Sequence, residues 1–404
     1  METLSYIPRP LYMERVRPYI GKQLIKVFLG QRRVGKSCVM HQVADEIAKS
    51  NPQANVIFID KERLEFSDII DELTLYHYVC DHISEHDNYL FIDEVQEIKN
   101  FQLALRSLLN EGRCDIYCSG SNAYILSGDL ATILSGRSVN IHVHALNYTE
   151  FLRFYQMEAS RDSLRTFLLR GGMPYLIHLP ATPDIAFEYL HNIYSTILLK
   201  DVVAHQSIRD VPFLENLCKF LADNVGSLFS AKNISDYLKS QHISKPVTTI
   251  QNYLQALQDA FFIYKVPRAD VQGLRLFEIG EKYYFEDFGI RNALRNANVP
   301  ADINKLMENV IYAELLSRGY QVYVGRMQEK EIDFVALRGS ERIYVQVAYF
   351  LNSDKVIERK FGNLASIRDN YPKYVISMDD YPVTMAYPGI RQLHLQDFLT
   401  ASQL

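Results

Sequence analysis

Residues 30–37 read Gly30-Gln31-Arg32-Arg33-Val34-Gly35-Lys36-Ser37, the pattern G-x-x-x-x-G-K-S. A backbone that curls around an anionic phosphate chain, turning its N–H groups inward, needs these residue types at this spacing. Gly30 and Gly35 permit the curl. The main chain of Gln31, Arg32, Arg33 and Val34, and of Cys38 in the turn that follows, is expected to face the phosphates. Lys36 would set a positive charge against the β- and γ-phosphates of ATP, and the Ser37 hydroxyl would help coordinate Mg²⁺.

Such a loop requires a buried strand before it and a helix after it. Residues 24–29, Leu-Ile-Lys-Val-Phe-Leu, form a short and largely apolar run of strand length. Beyond the loop, Val39, Met40, Val43 and Ile47 recur at helical spacing, and Asn51-Pro52 closes the segment. The amino end of that helix would aim its dipole and free N–H groups at the phosphates.

The chain has 404 residues, 48% hydrophobic and 23% charged, a soluble globular composition that allows two to four domains at about 150 residues each. No apolar run reaches the roughly 18 residues that a membrane span requires. The amino terminus, with Glu2, Pro8, Arg9 and Pro10, has no apolar signal core, so a cytoplasmic protein without a membrane partner is expected. Five cysteines (Cys38, Cys80, Cys114, Cys118 and Cys218) are too few and too scattered for a disulfide framework and are expected to be reduced. A net charge of −5 offers no global attraction to nucleic acid, so any such contact must come from a local patch.

Residues 1–145 alternate strands and helices, as in an α/β domain with a parallel sheet. A second strand is expected over residues 56–60 and a third over 89–92, the latter ending in Asp93-Glu94. Two carboxylates after a buried strand suit a nucleotide hydrolase, with Asp93 holding Mg²⁺ and Glu94 polarising the attacking water. A fourth strand at 116–118 runs into Ser119-Gly120-Ser121-Asn122. Ser121 or Asn122 there could hydrogen-bond the γ-phosphate or the water, although the same residues also suit a turn. Arg137, in Ser135-Gly136-Arg137-Ser138 before a fifth strand, could neutralise charge on a transferred phosphoryl group or stand as a solvated loop charge.

Taken together, G-Q-R-R-V-G-K-S, L-F-I-D-E-V-Q, C-S-G-S-N and S-G-R-S resemble the prokaryotic AAA-type ATPases, which join a phosphate-loop domain to a poorly characterised C-terminal region. The resemblance implies a sheet order of 5-1-4-3-2, Glu94 as catalytic base, and Ser121 or Asn122 at the sensor position. It also implies Arg137 at the place of the arginine finger of ring-forming relatives; a homo-oligomer is one arrangement this position allows, and a single sequence does not decide between action in cis and in trans.

Residues 146–205 turn helical, with Phe151, Leu152, Phe154 and Tyr155, then Leu164, Phe167 and Leu168, then Ile193, Ile197 and Leu198 on buried faces. Their length matches the helical lid of such ATPases. Within them, residues 170–174, Arg-Gly-Gly-Met-Pro, resemble the Gly-x-Pro element that related switch ATPases press on adenine. Pro174 would supply a flat apolar contact there, unless the segment is simply a turn between helices.

Residues 206–290 read as a winged helix-turn-helix of three helices and a hairpin. The third helix buries Val247, Ile250, Leu254 and Leu257 and turns Thr248, Thr249, Gln251, Asn252 and Gln255 outward. These side chains, with Lys245 at the helix start, could contact double-stranded DNA in a major groove. Six basic residues face three acidic ones over 231–275, a mildly basic balance. A protein partner, or plain solvation of that face, accounts for the same pattern.

Residues 291–404 resemble the restriction-endonuclease-like fold, in which a helix Glu, a strand Asp and an acid-x-Lys cluster around a metal. Glu308 and Asp333 match the first two positions. The third reads Gln346-Val347-Ala348, an amide in place of the acid and an alanine in place of the lysine. Ala348 cannot orient or activate a water, so the resemblance implies a degenerate nuclease fold without cleavage. The expected fold is therefore α/β: a P-loop AAA+ core with a helical lid, then a winged helix-turn-helix and a PD-(D/E)xK-like domain. The expected activity is Mg²⁺-dependent ATP hydrolysis that changes how the C-terminal modules engage DNA or a protein. A nucleotide-gated switch with negligible turnover, or an ATPase-controlled nuclease, are the alternatives.

Overall fold

The computed structural model describes residues 6–126, 136–180, 182–204, 208–240, 242–271, 273–275, 280–295, 302–383 and 387–403. Ser135 of the loop before the fifth strand and the expected boundary at 205–206 lie outside the described residues. The chain divides into two compact units, one holding residues up to His144 with Asp259–Phe261, the other holding Ala145–Gln258 and Phe262 onward.

In the first unit a short helix α1 (Pro10–Val16) precedes β1 (Ile25–Leu29), α2 (Lys36–Ser50), β2 (Asn55–Asp60), α3 (Glu72–His82), β3 (Asn88–Asp93), α4 (Phe101–Asn110), β4 (Asp115–Gly120) and β5 (Ser138–His142). The five strands are all parallel in the order β2-β3-β4-β1-β5. This is the 5-1-4-3-2 order that the resemblance implies. Every residue of β1 is buried, because helices on both faces of a parallel sheet leave a central strand no solvent side.

Lys26 is the exception to that apolar strand. It is fully buried and forms an ion pair with Asp115 of β4; its ammonium also donates to the Lys22 carbonyl (2.9 Å) and lies 4.9 Å from the centre of the Tyr117 ring. Burial holds the Lys26 ammonium below its usual pKa range against the pull of Asp115.

The second unit begins with α5 (Tyr148–Tyr155), α6 (Arg161–Arg170) and α7 (Pro183–Thr196), the last running into a π-helical stretch at Ile197–Val203. Three helices follow, α8 (Val211–Asp223), α9 (Ala231–Ser240) and α10 (Val247–Asp259). Next come β6 (Ile263–Val266), β7 (Arg268–Asp270), β8 (Lys282–Phe285) and α11 (Phe288–Leu294). The last part holds α12 (Ile303–Ser317), β9 (Gln321–Met327), β10 (Lys330–Arg338), β11 (Glu341–Val347), α13 (Asp354–Ala365), β12 (Lys373–Ser377), β13 (Ile390–His394) and α14 (Leu395–Thr400). β6 and β8 form a two-stranded antiparallel pair, while a six-stranded mixed sheet runs β13-β12-β11-β10-β9-β7.

Two features depart from the modular expectation. Residues 268–270, expected as part of the connection between the two hairpin strands, instead form an edge strand parallel to β9, with Arg268 opposite Val324 and Asp270 opposite Arg326. The helices expected as a lid share one apolar core with the last domain: Tyr148, Phe151, Leu164 and Phe167 pack in a cluster with Tyr284, Phe288, Leu306, Val310, Phe334 and Phe398. Helical periodicity marks which face is buried but not what covers it, so the chain could be cut into modules that in fact share a core.

The buried pair in β1 yields a stability prediction. Lys26→Ala leaves the Asp115 carboxylate without its partner and should lower the unfolding free energy by about 3 kcal/mol in urea titration. Lys26→Ala with Asp115→Asn should recover part of that loss. Equal stability of Lys26→Ala and the parent protein would contradict a structural role for the pair.

Candidate nucleotide site

The loop after β1 closes against the end of β5. Gly30 has φ +153°, and a Cβ there would lie 2.1 Å from the Val143 carbonyl oxygen, so no larger residue fits without moving β5. Gly35, at φ +96°, caps α2 in the left-handed region. Lys36 is buried and folds over its own loop, donating to the carbonyls of Gly30 (3.1 Å) and Gln31 (3.2 Å). The Gln31 side chain is fully buried, and its amide nitrogen and oxygen have no hydrogen-bond partner among the described residues. Arg32 is buried and pairs with Glu62 (3.2 Å), whereas Arg33 and Cys38 are exposed and Val34 is in the core.

Parallel pairing of β3 with β4 brings the two acids to this loop. The pairs Phe91–Tyr117 and Ile92–Cys118 carry Asp93 to Ser119, and the β1–β4 pair Leu29–Gly120 carries Ser121 and Asn122 to the loop. The Ser119 hydroxyl donates to the Asp93 carboxylate and accepts the Glu94 backbone N–H (2.9 Å). Asp93 is also hydrogen-bonded to the Ser37 hydroxyl. Glu94 takes the left-handed conformation (φ +55°), uncommon for a residue with a side chain and a mark of local strain. Its carboxylate stands 3.7 Å from the Lys36 ammonium and accepts the Gln96 amide, which also reaches the Ser121 hydroxyl (3.5 Å).

The two carboxylates are tuned apart. Burial raises Asp93 above its usual pKa and outweighs the hydrogen bonds from Ser119 and Ser37. Burial also opposes ionisation of Glu94, but Lys36, the Gln96 amide and Arg32 together hold it below the usual carboxylate value. Glu94 is therefore an ionised carboxylate at neutral pH, able to polarise a water. Asp93 and Ser37 offer two hydrogen-bonded hard oxygens, and this donor set suits Mg²⁺.

Sequence reasoning missed three contributors. Ser119 stands in a stretch whose polar side chains suit either a phosphate contact or a turn, Gln96 closes the L-F-I-D-E-V-Q motif without an assigned role, and Arg9 reads as a charge in a proline-rich terminus. Arg9 is in fact buried, donating to the Val34 carbonyl of the loop (2.9 Å) and to the His144 carbonyl (3.0 Å), with its guanidinium 4.5 Å from the Tyr12 ring centre. Nothing in its local sequence distinguishes it from a solvated arginine.

Arg137 is not brought to this site in its own chain. It is exposed, and its carbonyl accepts the Ile25 N–H (2.8 Å) at the amino end of β1. The loop leaves the other end, about 13 Å away along four strand residues. Pro174 lies in the second unit, half-buried at the start of a 3₁₀ turn (Pro174–His178). The glycines before it serve packing there: a Cβ on Gly171 would lie 2.6 Å from the Gly289 Cα, and one on Gly172 2.3 Å from the Leu146 carbonyl oxygen.

Of the residues considered for DNA contact, Thr248, Gln251 and Asn252 are exposed on α10 and Thr249 is half-buried. Lys245 is committed elsewhere, ion-paired with Asp210 and 5.0 Å from the centre of the Phe213 ring.

The nuclease-like positions do converge. Asp333 on β10 and Gln346 on β11 both meet Lys360 of α13, at 2.6 Å from Asp333 Oδ2 and 2.9 Å from Gln346 Oε1. Glu308 of α12 accepts from Lys282 (3.2 Å) and from the Tyr284 hydroxyl (3.0 Å), and Lys282 also pairs with Glu331 (3.0 Å). Burial disfavours ionisation of both acids. At Asp333 the cations Lys360 and Lys282 prevail and lower its pKa, while at Glu308 burial prevails and raises it. The lysine missing from position 348 is thus supplied in space by a helix, which corrects the expectation of a cluster without one.

Comparison with known proteins places residues 22–152 in a family described as AAA domain and residues 161–301 in a domain of unknown function, DUF8612. The second match covers the expected lid from residue 161 onward and the whole three-helix segment. An uncharacterized protein of Haemophilus influenzae is 32% identical over 402 residues, covering 98% of this chain and 99% of the relative. An uncharacterized protein of Methanocaldococcus jannaschii is 28% identical over 346 residues, covering 81% of this chain and 75% of the relative. Among solved structures, the Aeropyrum pernix ORC1 protein in complex with DNA matches at 10% identity and a TM-score of 0.31, covering 74% of this chain and 95% of that one. The Aquifex aeolicus DnaA bound to AMPPCP matches at 14% identity and a TM-score of 0.33, covering 63% and 89%. Overlaps this slight carry no functional weight.

The close approach of loop and strand at Gly30 can be tested directly. Gly30→Ala must push the Val143 carbonyl away, and the affinity for a fluorescent ATP analogue should fall at least about tenfold, a cost of about 1.4 kcal/mol. Unchanged affinity in a fluorescence titration would show that the loop tolerates the displacement.

Proposed function

This chain belongs to the AAA-type P-loop ATPases, and on that footing we propose that it binds ATP with Mg²⁺ on the loop of residues 30–37 and hydrolyses it. The observation that carries the reading is the contact between Lys36 and an ionised, buried Glu94 beside the Asp93–Ser37 oxygen pair. Lys36 and the loop N–H groups bind the phosphates, and the helix α2 dipole favours their charge. Ser37 and Asp93 would hold Mg²⁺, which draws charge from the phosphate oxygens when bound. Glu94 orients a water and accepts its proton as the bond to the γ-phosphorus forms. Gln96 and Ser121 hold the Glu94 carboxylate in place, while Ser119 fixes the strand ends that carry both acids.

We further propose that Arg137 acts on the nucleotide of a second copy, since its own loop lies at the far end of the sheet, and that the nucleotide state alters how the second unit engages duplex DNA or a protein partner. The exposed polar face of α10 supports DNA as the first partner to test.

Steady-state phosphate release tests the catalytic reading. Lys36→Ala should abolish nucleotide binding, and Glu94→Gln should keep binding while lowering kcat by about 100-fold or more. Hydrolysis that survives both substitutions would refute it, and tight ATP binding by the parent protein without phosphate release would favour a switch instead. For the partner, Gln251→Ala and Asn252→Ala should weaken duplex binding. Lys232→Ala, which removes an exposed charge of α9, should reduce the slope of log affinity against log salt by about 1. Duplex affinity indifferent to all three would remove α10 from consideration.

A further inference from the structure

The connection from β2 to α3 carries an apolar surface that the nucleotide site does not use. Leu64 is 90% exposed, Ile70 58% and Leu73 63%, three large apolar side chains facing solvent within ten residues of the first unit. Single exposed leucines are ordinary on a protein surface, whereas several in one stretch mark a place where another surface docks.

The stretch is pinned from within. Phe66 and Ile69 are buried, and the Lys61 ammonium donates to both of their carbonyls (2.5 and 2.8 Å). Asp71 caps α3 through Thr74, whose hydroxyl also accepts the Ile70 N–H (3.0 Å), and the Lys99 N–H donates to the Ile70 carbonyl (2.9 Å). The exposure of Leu64, Ile70 and Leu73 is therefore set by contacts on the inner side of the same stretch.

Charge decides what fits here. Residues 60–73 hold six acids and two bases, a net charge of −4 in a chain whose total is −5. Asp60 and Glu62 are paired with Arg63 and Arg32, Asp71 is engaged in the helix cap, and Glu72 accepts the Asn100 amide. Glu65 and Asp68, between Leu64 and Ile70, are exposed and make no side-chain hydrogen bond or ion pair among the described residues. A nucleic acid or an anionic membrane would set like charge against these carboxylates. A second copy docked through the same patch would set its own acids against them. A cationic apolar surface instead gains both from burial of the leucines and from pairing with the two acids.

We propose that residues 64–73 form the docking surface for a protein partner that presents a basic amphipathic segment, an apolar stripe flanked by lysines or arginines. The stripe packs on Leu64, Ile70 and Leu73, and the flanking cations pair with Glu65 and Asp68. Docking there requires neither ATP nor its hydrolysis.

The test uses the full chain and two fluorescently labelled helical peptides of about 18 residues with the same leucine stripe, one carrying lysine and the other glutamate on the polar face, read by anisotropy. The lysine peptide is expected to bind with a Kd of about 10 μM, at least about tenfold more tightly than the glutamate peptide. Leu64→Ser with Leu73→Ser should weaken its binding about tenfold, and Glu65→Gln with Asp68→Asn should flatten the dependence of affinity on salt. Tyr381→Ser, at an exposed aromatic of the second unit, should leave the affinity unchanged. Thermal melting of each variant separates loss of the surface from loss of the fold. Equal affinity for the two peptides, or lysine-peptide binding undiminished in Leu64→Ser with Leu73→Ser, would overturn the assignment, as would a salt dependence unaltered in Glu65→Gln with Asp68→Asn. Self-association of the parent protein that is lost in Leu64→Ser with Leu73→Ser, measured by analytical ultracentrifugation, would give the patch to a second copy and overturn it as well.

Discussion

Two carboxylates buried side by side at the end of one strand cannot both be left to themselves. Asp93 and Glu94 lose their hydration, and each makes ionisation of the other harder. The position of Lys36, 3.7 Å from Glu94, tips the balance toward ionisation of that acid, while at Asp93 burial still prevails. The rest of the first unit follows from the need to keep this arrangement. β1 must lie between β4 and β5, Gly30 must approach Val143, and Ser119 must face Asp93 across the β3–β4 pair.

Arg9 extends the same logic to the back of the loop. A guanidinium held between the Val34 and His144 carbonyls ties the loop to the end of β5 and satisfies two buried acceptors that no secondary structure covers. The Arg9 guanidinium thereby braces the curl of residues 30–37 from behind.

The second unit repeats the theme with different parts. Asp333 and Glu308 are again buried acids, and lysines from separate elements, Lys360 of α13 and Lys282 of β8, again decide their charge. Because Lys282 and Tyr284 belong to the small antiparallel pair, that pair is built into the cluster and is no freely hinged wing. The shared core of Tyr148, Phe167, Phe288 and Phe334 carries the same message for the helices before it.

The first unit was legible in the sequence because its chemistry is local. Eight consecutive residues make the loop, two consecutive residues make the acidic pair, and short buried strands announce themselves by composition, so the strands and the residues Lys36, Ser37, Asp93 and Glu94 could be singled out, while the strand order came from the family resemblance. What lay beyond reading were contacts between residues far apart in the chain: Arg9 with Val34 and His144, Lys26 with Asp115, the edge strand at 268–270, and the far-end location of Arg137. The cluster at Asp333 shows the limit most clearly. From the strand alone, Ala348 marks a lost lysine; only the packing of α13 against β10 and β11 places the Lys360 ammonium against Asp333 and Gln346. A linear motif records which side chain a position carries, whereas a charge acts through space, and the distance that matters is set by the fold.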